Sequence, residues 1–117
     1  MNTVLGWREL MGLQCIAEYT KEKGYPPSTQ RTVADCINEF IEKHSVPDAY
    51  GAPIHPYNAG RIVRKLFSAG LTEAELPVRL TDLGNKLCHE LSPDWRKIPT
   101  RLVVQNGSYD LKTAKYL

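Results

Sequence analysis

Apolar residues recur at helical spacing in four separate stretches, and proline or glycine interrupts the chain between them. Such a chain has few options: short helices that each bury one stripe against the others. Leu10, Leu13, Ile16, Ala17 and Thr20 share one helical face, widened by Trp7, Met11 and Cys15, and Gly24 is placed to close that helix over residues 6–23. Pro26 and Pro27 impose an extended segment. Ser28 or Thr29 then caps a second helix over 29–43, whose stripe is Val33, Ala34, Ile37, Phe40 and Ile41. Residues 44–56 hold three prolines and a glycine and read as a loop, long for a helix–helix connection. A third helix over 57–69 buries Ile62, Val63, Leu66 and Phe67 and turns Tyr57, Asn58, Arg61, Arg64 and Lys65 the other way. Residues 72–80 fit a short strand, a turn or an extended connection. Thr81 or Asp82 caps a fourth helix over 81–91, with Leu83, Leu87, Cys88 and Leu91 inward.

The last signal is a hairpin over 101–112. Asn106-Gly107 is the favoured pair for a two-residue type I′ turn. Counting outward sets Gln105 against Ser108, Val104 against Tyr109, Val103 against Asp110, Leu102 against Leu111 and Arg101 against Lys112. Because sides alternate along a strand, Leu102, Val104, Tyr109 and Leu111 share an apolar face and the remainder a mostly polar one. The expected fold class is therefore mainly α with a small β-hairpin, in a single domain over residues 1–117.

Composition narrows the function. At 117 residues with 42% hydrophobic and 24% charged side chains, the chain has the make-up of one ordinary globular domain. No apolar run reaches the roughly 18 residues that a membrane span requires, and the first residues lack a secretory pattern. Cys15, Cys36 and Cys88 are odd in number and none lies in a C-x-x-C pair, so the expectation is a reducing, cytoplasmic setting with thiols as apolar fillers. Residues 1–50 carry five Lys/Arg against seven Asp/Glu, and residues 51–117 carry ten against six. An anionic partner should thus meet the second half.

The stretch GYPPSTQRTVADCI resembles the start of the winged helix-turn-helix DNA-binding domain of LexA-type repressors, where a helix ends at a G-[YM]-P-P-[ST] segment. NAGRIVRKLFSAGL is similar to that family's recognition helix with its closing K-x-G-L, and VRLTDLGNKL resembles the LT-x-x-G-x-x-L segment that follows the wing in MarR- and PadR-like regulators. The likeness covers roughly residues 6–71. It implies a three-helix core with an additional helix and a wing, the wing being the C-terminal hairpin or a minimal turn at 72–80, with the hairpin preferred. Residues 44–56 depart from the pattern, exceeding the tight turn of the motif. The self-cleavage domain of those repressors has no counterpart.

What the resemblance implies is sequence-specific binding of double-stranded DNA and transcriptional regulation, with helix 57–69 in the major groove. Asn58 and Arg61 would read base edges, since Asn pairs bidentately with adenine and Arg with guanine. Tyr57, Arg64 and Lys65 would touch phosphates, and Ser28, Thr29 and Arg31 would form a phosphate seat at the start of the second helix. Arg101 and Lys112, opposed across the hairpin, would be relieved by a polyanion, and Gln105, Asn106 and Ser108 would reach the backbone or minor groove. Readers of this kind act as dimers, so a homodimer is expected.

The competing reading is a winged-helix adaptor, such as a phage or mobile-element factor acting on host machinery, with a protein partner at residues 44–56 through Tyr50, Ile54 and Tyr57. Catalysis is not expected: Cys88 and His89 are adjacent and face apart on a helix, and no phosphate-cradling glycine loop or nucleophile elbow is present. No cofactor is implied. His44 and His55 lack the cysteine or carboxylate partners that a metal would need.

Overall fold

A computed structural model describes residues 2–117. It is mainly helical, with a small three-stranded antiparallel sheet. The chain opens with a strand, β1 (Asn2–Gly6), and enters α1 (Trp7–Lys23) directly. Gly6 has no side chain to cap the helix. The cap comes from the third helical residue instead: Glu9 Oε1 accepts the Gly6 N–H at 3.0 Å, the carboxylate half of a capping box. Gly24 ends α1 in the left-handed region (φ 81°) and donates to Thr20 O.

Thr29, not Ser28, caps α2 (Gln30–Lys43): its hydroxyl accepts the Thr32 N–H at 3.1 Å. After α2 come a four-residue helix, α3 (Asp48–Gly51), and then α4 (Pro56–Ser68), which His55 Nδ1 caps by accepting the Tyr57 N–H. α1, α2 and α4 pack mutually into a three-helix body. Its core holds Leu10, Leu13, Ile16, Val33, Ile37, Ile62, Val63 and Leu66, the stripes that the periodicity predicts. Phe67 is the exception and stands largely exposed.

Residues 44–56 are tied down rather than loose. Val46 and Ile54 are buried. Asn38 in α2 holds Ile54 from both sides, accepting its N–H at 2.6 Å and donating to its carbonyl at 3.0 Å. Asn38→Ala would strand both backbone groups of a buried residue, and a lost buried partner costs about 1–3 kcal/mol. The expected result is a loss of about 2 kcal/mol in urea unfolding, with faster amide exchange confined first to residues 44–56. Unchanged exchange there would refute the latch.

Beyond α4, Thr72 and Leu80 form an antiparallel bridge around a tight excursion, and the Val78 N–H donates to Pro27 O at 2.9 Å. The excursion thereby docks on the Pro-Pro segment between α1 and α2. Thr81 caps α5 (Asp82–Glu90), accepting the Gly84 N–H. A 3₁₀ turn (Trp95–Lys97) leads into β2 (Arg101–Gln105) and β3 (Ser108–Tyr109).

Asn106 and Gly107 both have positive φ (51° and 77°), the geometry of the expected turn. The ladder beyond it is shorter than predicted. Only Gln105–Ser108 and Val104–Tyr109 pair. At Asp110 the chain turns away: the Asp110 carboxylate accepts the Lys112 N–H and its carbonyl accepts the Thr113 N–H and hydroxyl. Arg101 therefore faces Lys115, not Lys112, and the expected Leu102–Leu111 and Val103–Asp110 pairs do not form. The second neighbour of β2 is β1, in the register Leu5–Leu102 and Thr3–Val104. Leu102 and Val104 are buried as the alternation requires, and Leu5 joins them.

Candidate nucleic-acid interface

The outward face of α4 presents Tyr57, Asn58, Arg61, Arg64 and Lys65, all exposed, as helical spacing demands of residues opposite the Ile62–Val63–Leu66 stripe. Tyr57 stands 69% exposed at the first turn. The cations differ in their surroundings. Arg64 Nε lies 3.4 Å from Glu75 in the 72–80 excursion, with both side chains well exposed; such a pair contributes at most about 1 kcal/mol and yields readily to another anion. Lys65 Nζ lies 3.3 Å from Glu9, whose side chain is only 13% exposed because it also caps α1. Among the described residues, no carboxylate comes within ion-pair distance of Arg61 or of Arg8.

Between the first turn of α1 and this face of α4 lies a cleft of ≈ 480 Å³, lined by Arg8, Glu9, Asn58, Arg61, Arg64 and Lys65 among others. Four cations and a single carboxylate thus share one concave surface, where an anion's field lines are focused. Arg8 and Glu9 are absent from the sequence-based site. Arg8 alone left a local hint, since a basic residue in the first turn of a helix opposes the macrodipole, but nothing local ties it or Glu9 to α4.

The other expected contacts fall elsewhere. The Gln30 side chain lies over Gly60, so the first turn of α2 adjoins α4. There Ser28 and Arg31 are exposed, while the Thr29 hydroxyl is occupied with the Thr32 N–H and hydroxyl. The hairpin adjoins α5: the Tyr109 hydroxyl donates to Glu90, and Lys86 Nζ sits 5.5 Å over the Tyr109 ring. Arg101 stands opposite Gly6, and the Asn106 turn is at the other end of β2, beside the Gln105–Asn2 pair. Among the described residues neither Arg101 nor Lys112 lines the cleft.

No family model, curated protein or solved structure matches this chain.

The thiols give no sign of a nucleophile. Burial pushes Cys15 far above the ordinary thiol range, Cys88 up to about 12 and Cys36 up to about 11, the last helped by Glu39 and Asp35. Cys15 Sγ meets Met11 Sδ and Cys88 Sγ meets the Leu13 carbonyl, each at 3.6 Å. A thiol so held supplies little thiolate at neutral pH. His44 stacks on Phe40, and His55 is occupied as the α4 cap. Among the described residues, no three His, Cys, Asp or Glu side chains gather closely enough to hold a metal ion. Nor is any helix there long and apolar enough to cross a membrane.

Proposed function

We propose that this chain binds double-stranded DNA through the outward face of α4 and acts as a regulator of transcription, in the manner of a winged helix-turn-helix. The carrying observation is the α4 face itself: three cations, an asparagine and a tyrosine stand exposed on a helix braced by two others. Asn58 and Arg61, near its N-terminus, take the base-reading roles, and Tyr57 and Arg64 the backbone ones. The excursion at 72–80 suits the wing better than the hairpin does. It follows α4 at once, shares the Arg64–Glu75 pair with it, and hydrogen-bonds to the segment preceding α2. A two-fold duplex site would take two copies of the chain.

Fluorescence anisotropy on a labelled duplex tests this. About four to six phosphate contacts give a log–log salt slope of roughly −4 to −5. Arg61→Ala/Arg64→Ala should weaken binding about 10- to 30-fold, with the fold intact because neither side chain is buried. Salt-independent binding, or unchanged affinity in the double variant, would remove the assignment. The same titration separates DNA binding from an apolar protein interface at residues 44–56. Of the three residues expected at that interface, Ile54 is buried, Tyr50 packs against Trp7 and Trp95 while remaining partly exposed, and Tyr57 is exposed.

A further inference from the structure

Resting on the duplex-binding reading, we infer that the cleft between α1 and α4 seats a backbone phosphate of the bound duplex, with Arg8 and Lys65 as its ligands and Glu9 as a built-in competitor. Arg8 projects from the second residue of α1, where the positive end of the helix dipole disfavours a cation. It shares the cleft with Arg61, Arg64 and Lys65 and, among the described residues, has no carboxylate partner within ion-pair distance. Like charges gathered against a dipole raise the energy of the unbound protein. A phosphodiester in the cleft removes that cost and gains charge-assisted hydrogen bonds. Since Arg8 lies on α1, it extends the contact beyond the recognition helix.

Glu9 has two tasks that can be separated chemically. It accepts the Gly6 N–H, and it holds Lys65 at 3.3 Å. Glutamine at this position keeps the acceptor oxygen of the capping box but loses the charge. Glu9→Gln thus releases Lys65 to the duplex and removes the carboxylate that lines the cleft while leaving α1 capped.

The experiment compares wild type, Arg8→Gln, Glu9→Gln and Arg61→Ala/Arg64→Ala on two duplexes of unrelated sequence, from 50 to 200 mM salt. Arg8→Gln should weaken both duplexes alike, about 5- to 10-fold, with the salt slope shallower by about one, and its melting temperature should be no lower than wild type. Glu9→Gln should tighten binding about 3- to 10-fold with a slope steeper by about one. A purely structural role for Arg8 would lower the melting temperature and leave the slope alone, which overturns the inference. If Arg8→Gln or Glu9→Gln leaves slope and affinity unchanged while the double arginine variant loses binding, the cleft assignment falls and the α4 reading stands. Absence of duplex binding by wild type overturns both.

Discussion

Gly84→Ala should destabilise the protein by about 3 kcal/mol, although alanine is the better helix former. A Cβ at Gly84 would sit 2.1 Å from the Leu71 carbonyl oxygen and 3.1 Å from its carbon. Both are backbone atoms of a fully buried residue, so no side chain can swing aside. The approach is fixed from several directions. The Thr81 N–H donates to that same Leu71 oxygen, the Thr81 hydroxyl donates to Gly70 O at 2.7 Å, and it accepts the Gly84 N–H. Relief would require α5 to lift from the Gly70–Leu71 corner and break these bonds, and overpacking of a fixed contact costs about 1–3 kcal/mol or more. The helix-propensity gain of about 1 kcal/mol is too small to offset it. Gly60→Ala supplies the contrast. Its Cβ would meet only the end of the Gln30 side chain, at 2.6 Å, and that amide is exposed and can rotate away. Gly60→Ala should therefore lie within about 1 kcal/mol of wild type. Urea midpoints at constant m decide the matter: if the two variants unfold together, the carbonyl contact is not what demands glycine at position 84.

Those two glycines also mark how far the sequence could be read. Periodicity alone gave the stripes of α1, α2, α4 and α5 to within a residue or two, because each helix buries one face and turns the other to water. The Asn106-Gly107 turn was legible because few residue pairs accept two positive φ angles. Long-range pairing was not. β1 is five residues long and lies beside β2, almost a hundred residues further on, and nothing local in NTVLG announces that partner. The length of the hairpin depended on Asp110, whose carboxylate offers the Lys112 N–H an alternative to the ladder. At the candidate site the α4 residues followed from helical spacing. Arg8 and Glu9 did not, since they join α4 only through packing of α1 against it.

Stability should fall steeply in alkali, by at least about 4 kcal/mol between pH 8 and pH 10.5. The cause is the three thiols. Unfolded, they ionise near 9.0; folded, desolvation holds Cys15 far higher, Cys88 at about 12 and Cys36 at about 11. A group whose pKa is raised by folding contributes stability that is fully present below its unfolded pKa and is lost as pH climbs through its folded one. In that window the unfolded chain has released protons that the native chain still binds, so unfolding becomes easier with each step in pH. One such group gives about 1.4 kcal/mol per pH unit. Cys15 and Cys88, titrating in the unfolded chain over about one and a half units above pH 9, account for about 4 kcal/mol. Cys36 adds less, because it is only partly buried, and Tyr109, raised by burial and by its bond to Glu90, adds to the fall only above about pH 10. With native stabilities of 5–15 kcal/mol as the general range, a loss of this size brings the transition close to ambient conditions. Urea midpoints at pH 8, 9, 10 and 10.5 should decline progressively. Cys15→Ala/Cys88→Ala should start less stable at pH 8, from the cavities left behind, yet decline with less than half the wild-type slope up to pH 10. A wild-type profile flat to pH 10.5 would mean that the thiols ionise inside the folded protein as they do in water, and would contradict their burial among α1, α2 and α5.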